Sequence, residues 1–344
     1  MKKIGFLSFN HWSAQNGSRV RSAQESLLQS IELAEAAEEI GIDGAFFRVH
    51  HFAEQQSSPL PLLAAIAART STIQVGTGVI DMRYENPLAL AEEAASTDLI
   101  SAGRLQLGVS RGSPQHAAEG WKTFGYTPDT TDADMAAEKT DQFLAAIRGI
   151  GVATPNPERY APNTPRLPVT PLSHSLPTRI WWGAGSRATA TVAANKGMNL
   201  MSSTLMTEDT GASFEQLQRQ QIDLYRSAWN AAGWEHDPSV SVSRGVLPVI
   251  DDETARYFGT SAGAGDQVGL IDGVMSRFGR QHVGSPEHLV DVLAQDEALD
   301  ASDWVLITIP NQLGVDFNVK LLTAIRHIGT ELGWTHPAPS PALA

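Results

Sequence analysis

The chain has 344 residues, 42% of them hydrophobic and 18% charged, enough to bury a large core and without the composition of a disordered protein. Its 38 acidic and 25 basic side chains give a formal charge of −13, which argues against the basic surface of a nucleic-acid binder and is read as solubility. It has no cysteine, so disulfide staples, thiol nucleophiles and cysteine-ligated zinc are excluded.

The opening segment, MKKIGFLSFNHWSAQ, has two lysines and an apolar run that stops before Asn10 and His11. It reads as a first strand, Ile4–Phe9, and not as a signal peptide. Ser22–Ile40 follows as a helix with Leu27, Ile31 and Ala34 on one face, stopped by Gly41. The second strand, Gly44–Val49, runs into the adjacent pair His50–His51. A third strand, Ile73–Ile80, precedes the helix Ala89–Ile100, which carries Leu90, Ala94 and Leu99 and ends before Gly103. The fourth strand is Leu105–Ser110. Between the fourth helix and the fifth strand, residues 152–178 hold seven prolines and little periodicity, so an irregular excursion is expected there.

The fifth strand, Arg179–Gly183, leads into the helix Ala188–Lys196, ended by Gly197. After the sixth strand, Asn199–Ser202, the pattern Leu217, Ile222, Leu224, Trp229 marks the helix Phe214–Ala232, closed by Gly233. The seventh strand, Ser241–Val249, is followed by residues 251–284, rich in Gly, Ser and Asp; this insertion is either a lid over a site or a surface loop. Ser285–Ala294 begins with a capping serine and Pro286 in its first turn. Strand Trp304–Ile309 and helix Val315–Leu332 complete the pattern. A single domain over 1–335 is expected, with 336–344 a disordered tail. No apolar run approaches the roughly 18 residues of a membrane span. A cytoplasmic protein with no membrane or nucleic-acid partner is expected.

Eight strands, each followed by a helix, imply parallel pairing. That number favours a closed (β/α)8 TIM barrel, here with insertions after helix 4 and strand 7, over a six-stranded open sheet. Barrel chemistry sits at the C-terminal ends of strands, which selects Ser8–His11, His50–Phe52, Thr77–Met82, Ser110–Gly112 and Gly183–Arg187. Adjacent strand residues point to opposite faces, so His50 and His51 are poorly placed to chelate one ion, and no metal is expected. One of the pair suits a general base near neutral pH, and a structural histidine bonded to backbone describes the other. Arg111 ends an apolar strand and needs an anionic partner, either a phosphate or an internal carboxylate. In WWGAGSRATATVAA a Gly-Ala-Gly-Ser turn opens directly into a helix. Its small residues let N–H groups approach an anion at the positive helix end, and Ser186 and Thr189 add hydroxyls. The pair makes a phosphate-bearing cofactor credible.

These segments resemble the bacterial-luciferase-like flavin-dependent monooxygenases. His50–His51–Phe52 is similar to that family's EHHF at the end of strand two, and IQVGTGVI (Ile73–Ile80) to its third strand VGTAAIV. ENPLALAEEAASTDLISAGRLQLGVSRG resembles its block through strand four, GAGSRATATVAANKG its phosphate turn, and HVGSPEHLVDVL its late helix. The resemblance covers almost the whole chain. It implies a (β/α)8 fold and reduced FMN as co-substrate, or in a related branch a deazaflavin coenzyme. It also implies His50 as catalytic base, and Gly78–Val79 as a cis peptide against the flavin ring. Thr77, Gly78, Val79, Arg111, Gly185, Ser186 and Thr189 are then the cofactor-binding residues. Reduced flavin would react with dioxygen, and the 4a-peroxide would attack a small hydrophobic aldehyde or ketone. A separate flavin reductase and a homodimer through helices two and three are implied as partners. The chain departs from the family pattern at Val49, Ser110 and Gly185, where glutamate, cysteine and an acidic residue are usual, which argues against light emission. A deazaflavin-dependent hydride-transfer oxidoreductase and a non-catalytic luciferase-like subunit are the other readings; the presence of both His50 and Arg111 argues against the second.

Overall fold

The computed structural model describes residues 1–112, 116–208, 210–259, 265–271 and 274–335. The expected tail, 336–344, and parts of the expected lid, 260–264 and 272–273, lie outside the described residues. All eight strands of the pattern form: β1 (Lys3–Ser8), β2 (Gly44–Phe47), β3 (Gln74–Thr77), β4 (Leu105–Ser110), β5 (Ile180–Ala184), β6 (Asn199–Ser202), β7 (Val240–Pro248) and β8 (Trp304–Thr308). Each pairs in parallel with the next, and β8 pairs with β1 through Lys3↔Trp304 to Leu7↔Thr308, so the sheet closes into a barrel. Closure leaves no sheet edge among these eight and rules out the open-sheet alternative.

Alternation along the strands decides what fills the barrel. Leu7, Phe46, Trp181, Met201, Trp304 and Leu306 pack together inside. Their neighbours Phe6, Phe47, Leu200, Val305 and Ile307 face outward into the larger core beneath the helices. Phe46 is a wedge of the lower interior and packs edge-on to Trp304 at a ring separation of 5.6 Å. It fits because its neighbours are glycines. A Cβ on Gly76 would lie 2.5 Å from the Phe46 ring and one on Gly44 2.6 Å from it, closer than real Cβ contacts come.

The helices are α1 (Ala23–Ile40), α2 (Pro59–Arg69), α3 (Pro87–Ile100), α4 (Asp132–Ile147), α5 (Arg187–Asn195), α6 (Phe214–Ala232), α7 (Asp252–Phe258), α8 (Pro286–Leu293), α9 (Glu297–Asp300) and α10 (Val315–Glu331). Their stops are those expected: Gly41 and Gly233 lie in the left-handed region at φ 87° and 72°, where glycine avoids a Cβ penalty. Their buried faces are partly different. In α1 the core side is Ser26, Ser30, Leu33, Ala34 and Ala37, and Leu27 is exposed; Leu99 in α3 and Leu224 in α6 are exposed too. Small residues, invisible to a search for large apolar ones, let these helices sit close to the sheet. No helix among the described residues is long and apolar enough to cross a membrane.

Residues 152–178 are irregular, as expected, held by an isolated bridge between Ala153 and Leu167. The insertion after β7 contains more structure than its composition suggests. It holds α7, an antiparallel hairpin of Gln267–Ile271 with Val274–Phe278, and the strand Gln281–Gly284, which runs parallel to the end of β7. The hairpin also pairs with Leu205–Met206, so it is anchored to the chain just beyond β6.

Beneath the insertion lies a buried polar cluster. Arg244, on the outer face of β7, gives a two-point fork to Asp296 (2.7 and 3.0 Å) and a further bond to Gln218 (2.6 Å). Burial alone would raise the Asp296 carboxyl, but the Arg244 fork holds it below its usual value. His282 and Glu215 bring ligand-type atoms to within 4.8 Å of Asp296, but the positive charge there is already the arginine's. Burial, then Arg244 and Arg280, push His282 down to about 4, so it is neutral at pH 7. A base whose folded pKa is depressed contributes stability above its unfolded value and loses it on acidification. Stability should therefore fall between about pH 6.5 and 4, by on the order of 3 kcal/mol from this residue. Urea unfolding at several pH values checks this, and His282→Gln should flatten the decline. An unchanged slope in that variant contradicts it.

Candidate active site

The C-terminal ends of the strands surround a cavity of about 870 Å³, within the size range of small-molecule sites. Leu7 of β1, Arg48 and His50 after β2, Gly78 and Val79 after β3, and Ser110 and Arg111 at β4 form one part of its wall. Trp182 and Gly183 of β5, Gly185, Ser186 and Thr189 at the start of α5, Met201 of β6 and Ser243 of β7 form the rest.

The wall at β3 is shaped by a bulge. Gly76 pairs with Gln106, and the short strand Ile80–Asp81 resumes pairing at Val109 and Ser110. Four steps on one strand thus oppose three on the other, which swings the chain toward the barrel axis. The Gly78–Val79 peptide inside this bulge is cis, as the resemblance implies. Thr77 locks the bulge: its hydroxyl donates to the Gly108 carbonyl at 2.8 Å and accepts from the Gly108 N–H at 2.9 Å. Thr77 is fully buried and is not part of the cavity wall, so of the three expected residues here only Gly78 and Val79 face the cavity. Glycines make room for Val79. A Cβ on Gly183 would sit 3.0 Å from its side chain and one on Gly108 2.8 Å from it.

Past the bulge, Asp81 and Arg83 form a pair that sequence reading did not single out. The Arg83 Nε and Nη2 donate to Asp81 at 3.0 and 2.8 Å, Nη1 reaches Asp132 at 2.7 Å, and the guanidinium lies over Trp121 at 4.5 Å. Burial raises the Asp81 carboxyl, and Arg83 opposes that rise. Gly112 turns directly against this pair. It lies at φ 93°, and a Cβ there would be 2.2 Å from the Asp81 carboxylate. With the bond from the Gly112 N–H to Ser110 Oγ (2.9 Å), this sets the chain at Arg111, whose side chain is exposed at the cavity.

The two histidines separate as strand geometry predicts. His50 lines the cavity, and its N–H donates to the Gln56 carbonyl at 2.8 Å. His51 is buried away from it, stacked on Tyr84 at 4.2 Å and edge-on to Phe124 at 5.1 Å. Burial lowers the His51 pKa against a weaker pull from Asp81, which keeps the ring neutral. Of the nearby aromatic residues, Trp121 lines the cavity and Trp12 and Phe124 do not.

At α5 the expected turn forms. Ser186 caps the helix, and Ser186 and Thr189 exchange the reciprocal bonds of a capping box while both face the cavity. Glu208 takes the Arg187 N–H (3.0 Å) and pairs with the Arg187 side chain (2.7 Å) outside the cavity wall. A carboxylate from beyond β6 thus sits at the N-terminus of α5. Arg48 was also missed, although a charged residue inside GAFFRVHH was a visible signal.

The sequence model of the luciferase-like monooxygenases matches residues 3–297. The chain belongs to this family. One relative is the oxygenase component of a flavin-dependent trigonelline monooxygenase from Acinetobacter baylyi, 28% identical over 62% of this chain and 62% of its own. The chain spans 52–62% of the lengths of the first curated relatives it matches. Among solved structures, monooxygenase RslO1 from Streptomyces bottropensis shares the fold with a TM-score of 0.70 at 20% identity, covering 96% of this chain and 99% of that one. The oxygenating constituent of 3,6-diketocamphane monooxygenase from Pseudomonas putida, in complex with FMN, does so with a TM-score of 0.68 at 16% identity, covering 95% and 97%.

Because the Asp81–Arg83 pair is buried and fixes the bulge to the Arg111 turn, breaking one side should be costly. Asp81→Ala is expected to destabilise the protein by about 3 kcal/mol in denaturant titrations. A loss under about 1 kcal/mol would show that the pair is dispensable.

Proposed function

We propose that the protein is the oxygenating component of a flavin-dependent monooxygenase, using reduced FMN from a separate reductase, dioxygen and a small hydrophobic organic substrate. The observation that carries this reading is one cavity in which Arg111 and the N-terminal turn of α5 share a wall with His50 and an apolar surface. The donor set suits a phosphate at one end and a flat ring system across the rest. When bound, reduced FMN supplies the electrons that activate dioxygen for transfer to a substrate such as an aldehyde or ketone.

In this reading Arg111 and the positive end of α5 hold the phosphate, with the Ser186 and Thr189 hydroxyls and the unhindered backbone at Gly185 beside it. Gly78 and Val79 form the surface under the ring, with Leu7 and Met201 excluding water from the same region. Thr77 serves the cofactor at one remove by locking the bulge. His50 holds or moves a proton at the reacting atoms, and His51 supports it from the aromatic cluster outside. The enzyme is read as cytoplasmic and as a homodimer through α2 and α3; exposed Leu88, Leu99 and Ile100 give α3 an apolar outer surface that fits such a contact.

An oxidation assay with reduced FMN, following peroxide release against a panel of aldehydes and ketones, tests the reading. Substrate-dependent suppression of peroxide is expected. Binding of a deazaflavin coenzyme with no affinity for reduced FMN would replace this reading with hydride transfer, and binding of neither would favour a non-catalytic subunit. His50→Ala should lower turnover about 100-fold or more with FMN still bound; unchanged turnover removes His50 from the mechanism. Arg111→Ala should weaken FMN binding by about 2 kcal/mol, the lower range for a charged contact because the side chain is exposed, and leave riboflavin binding unchanged. Equal losses for both flavins contradict the phosphate assignment.

A further inference from the structure

The cavity wall contains three arginines, and two of them already have a role. Arg83 is committed to Asp81 and Asp132. Arg111 stands beside the α5 turn, where a cofactor phosphate is proposed. Arg48 has neither kind of partner. It extends from the end of β2, where its N–H still continues the ladder to the Ser8 carbonyl at 2.9 Å, two residues above the interior wedge Phe46. The strand period therefore directs its side chain inward, and it lines the cavity.

There the side chain is held in place without being neutralised. Its Nη2 donates to Thr204 Oγ1 at 2.8 Å, and its guanidinium lies over the Phe9 ring at 4.7 Å. Phe9 is in turn stacked on His11 at 5.4 Å with an interplanar angle of 6°. Among the described residues no carboxylate forms an ion pair with Arg48, and its Nε is buried without a hydrogen-bond partner. Burial lowers its pKa to about 10, which still leaves it charged at neutral pH. A desolvated cation with an unused donor is expensive unless something supplies the anion. In a chain of net charge −13, acidic residues are plentiful, yet none of the described ones pairs with it. An anion in the cavity would supply the missing counter-charge.

We propose that Arg48 is the specificity-determining residue for the substrate, and that the substrate carries a carboxylate. A guanidinium fixed on a ring and on a hydroxyl presents its remaining donors in one plane, the geometry that matches a carboxylate. The apolar side chains of Leu7 and Met201, beside the Gly78–Val79 surface left to the flavin ring, take the carbon body. This rests on the flavin reading above and narrows its substrate class from neutral carbonyl compounds to organic acids that also bear the oxidisable carbon.

The test uses benzoate and benzamide, which share size and ring but differ in charge, in calorimetric titrations of the whole protein with and without reduced FMN under anaerobic conditions. Benzoate should bind at least tenfold more tightly than benzamide. Arg48→Met should remove that preference, with benzamide affinity and FMN affinity each unchanged within about twofold. Thr204→Val, which removes only the hydroxyl that steadies Arg48, should weaken benzoate several-fold and keeps the test available if Arg48→Met fails to fold. Equal affinities in the unmodified protein, or no binding of either probe, overturn the proposal. So does a benzoate preference that survives Arg48→Met, or one lost only in Arg111→Ala. A fall in FMN affinity in Arg48→Met also overturns it, because Arg48 then holds the flavin. If FMN binds no form of the protein, the flavin reading fails, while the benzoate comparison made without FMN still decides the role of Arg48.

Discussion

Closure of the eight-stranded barrel forces each strand to choose one set of alternate residues for the interior, and the arrangement of the mouth follows from that choice. With Phe46 inside, Phe47 must face the helices, and two steps on Arg48 must face the cavity. The choice is stabilised by glycines at 44 and 76, which leave the space that the Phe46 ring occupies. A one-residue slip of β2 would bring Phe47 into a space shaped for Phe46 and send Arg48 into the apolar layer beneath the helices. The same packing that fills the barrel therefore aims the charge above it.

The mouth has an unusual electrical composition for so acidic a chain. Its carboxylates are tied up at the rim: Asp81 and Asp132 on Arg83, Glu208 on Arg187. Glu119, also in the wall, pairs with Lys122, and what remains facing the cavity is a set of donors, namely Arg48, Arg111, the start of α5 and the hydroxyls around it. Such a surface favours occupants with negative charge at two separate places. One matches the phosphate of a flavin nucleotide and the other an acidic substrate.

Much of this was legible from the sequence because it depends on short-range patterns. All eight strands, the glycine stops and the divergence of His50 from His51 follow from periods of two and of 3.6 residues. The family motifs then directed attention to Arg111, Gly185, Ser186 and Thr189. What escaped depended on contacts between distant segments. Thr77 reads as a strand-end residue facing a ligand, but the one-residue mismatch with β4 turns its hydroxyl onto Gly108. The Asp81–Arg83–Asp132 pairing joins the end of β3 to the start of α4 across about 50 residues, and no local pattern announces it. Arg48 was visible as a charge within an apolar strand, yet its isolation from the carboxylates of the described residues is a property of the folded barrel alone. The helix faces were misjudged where alanine and serine, not leucine, make the close contacts.

The central claim is that this mouth is a flavin mononucleotide site with its phosphate end at α5. A crystal structure of the protein grown anaerobically with reduced FMN tests it most directly. The account predicts the phosphate between Arg111 and the Gly185–Ser186 turn, with the flavin ring against Gly78 and Val79. A flavin bound elsewhere, or bound in this cavity with its phosphate away from α5, would contradict it.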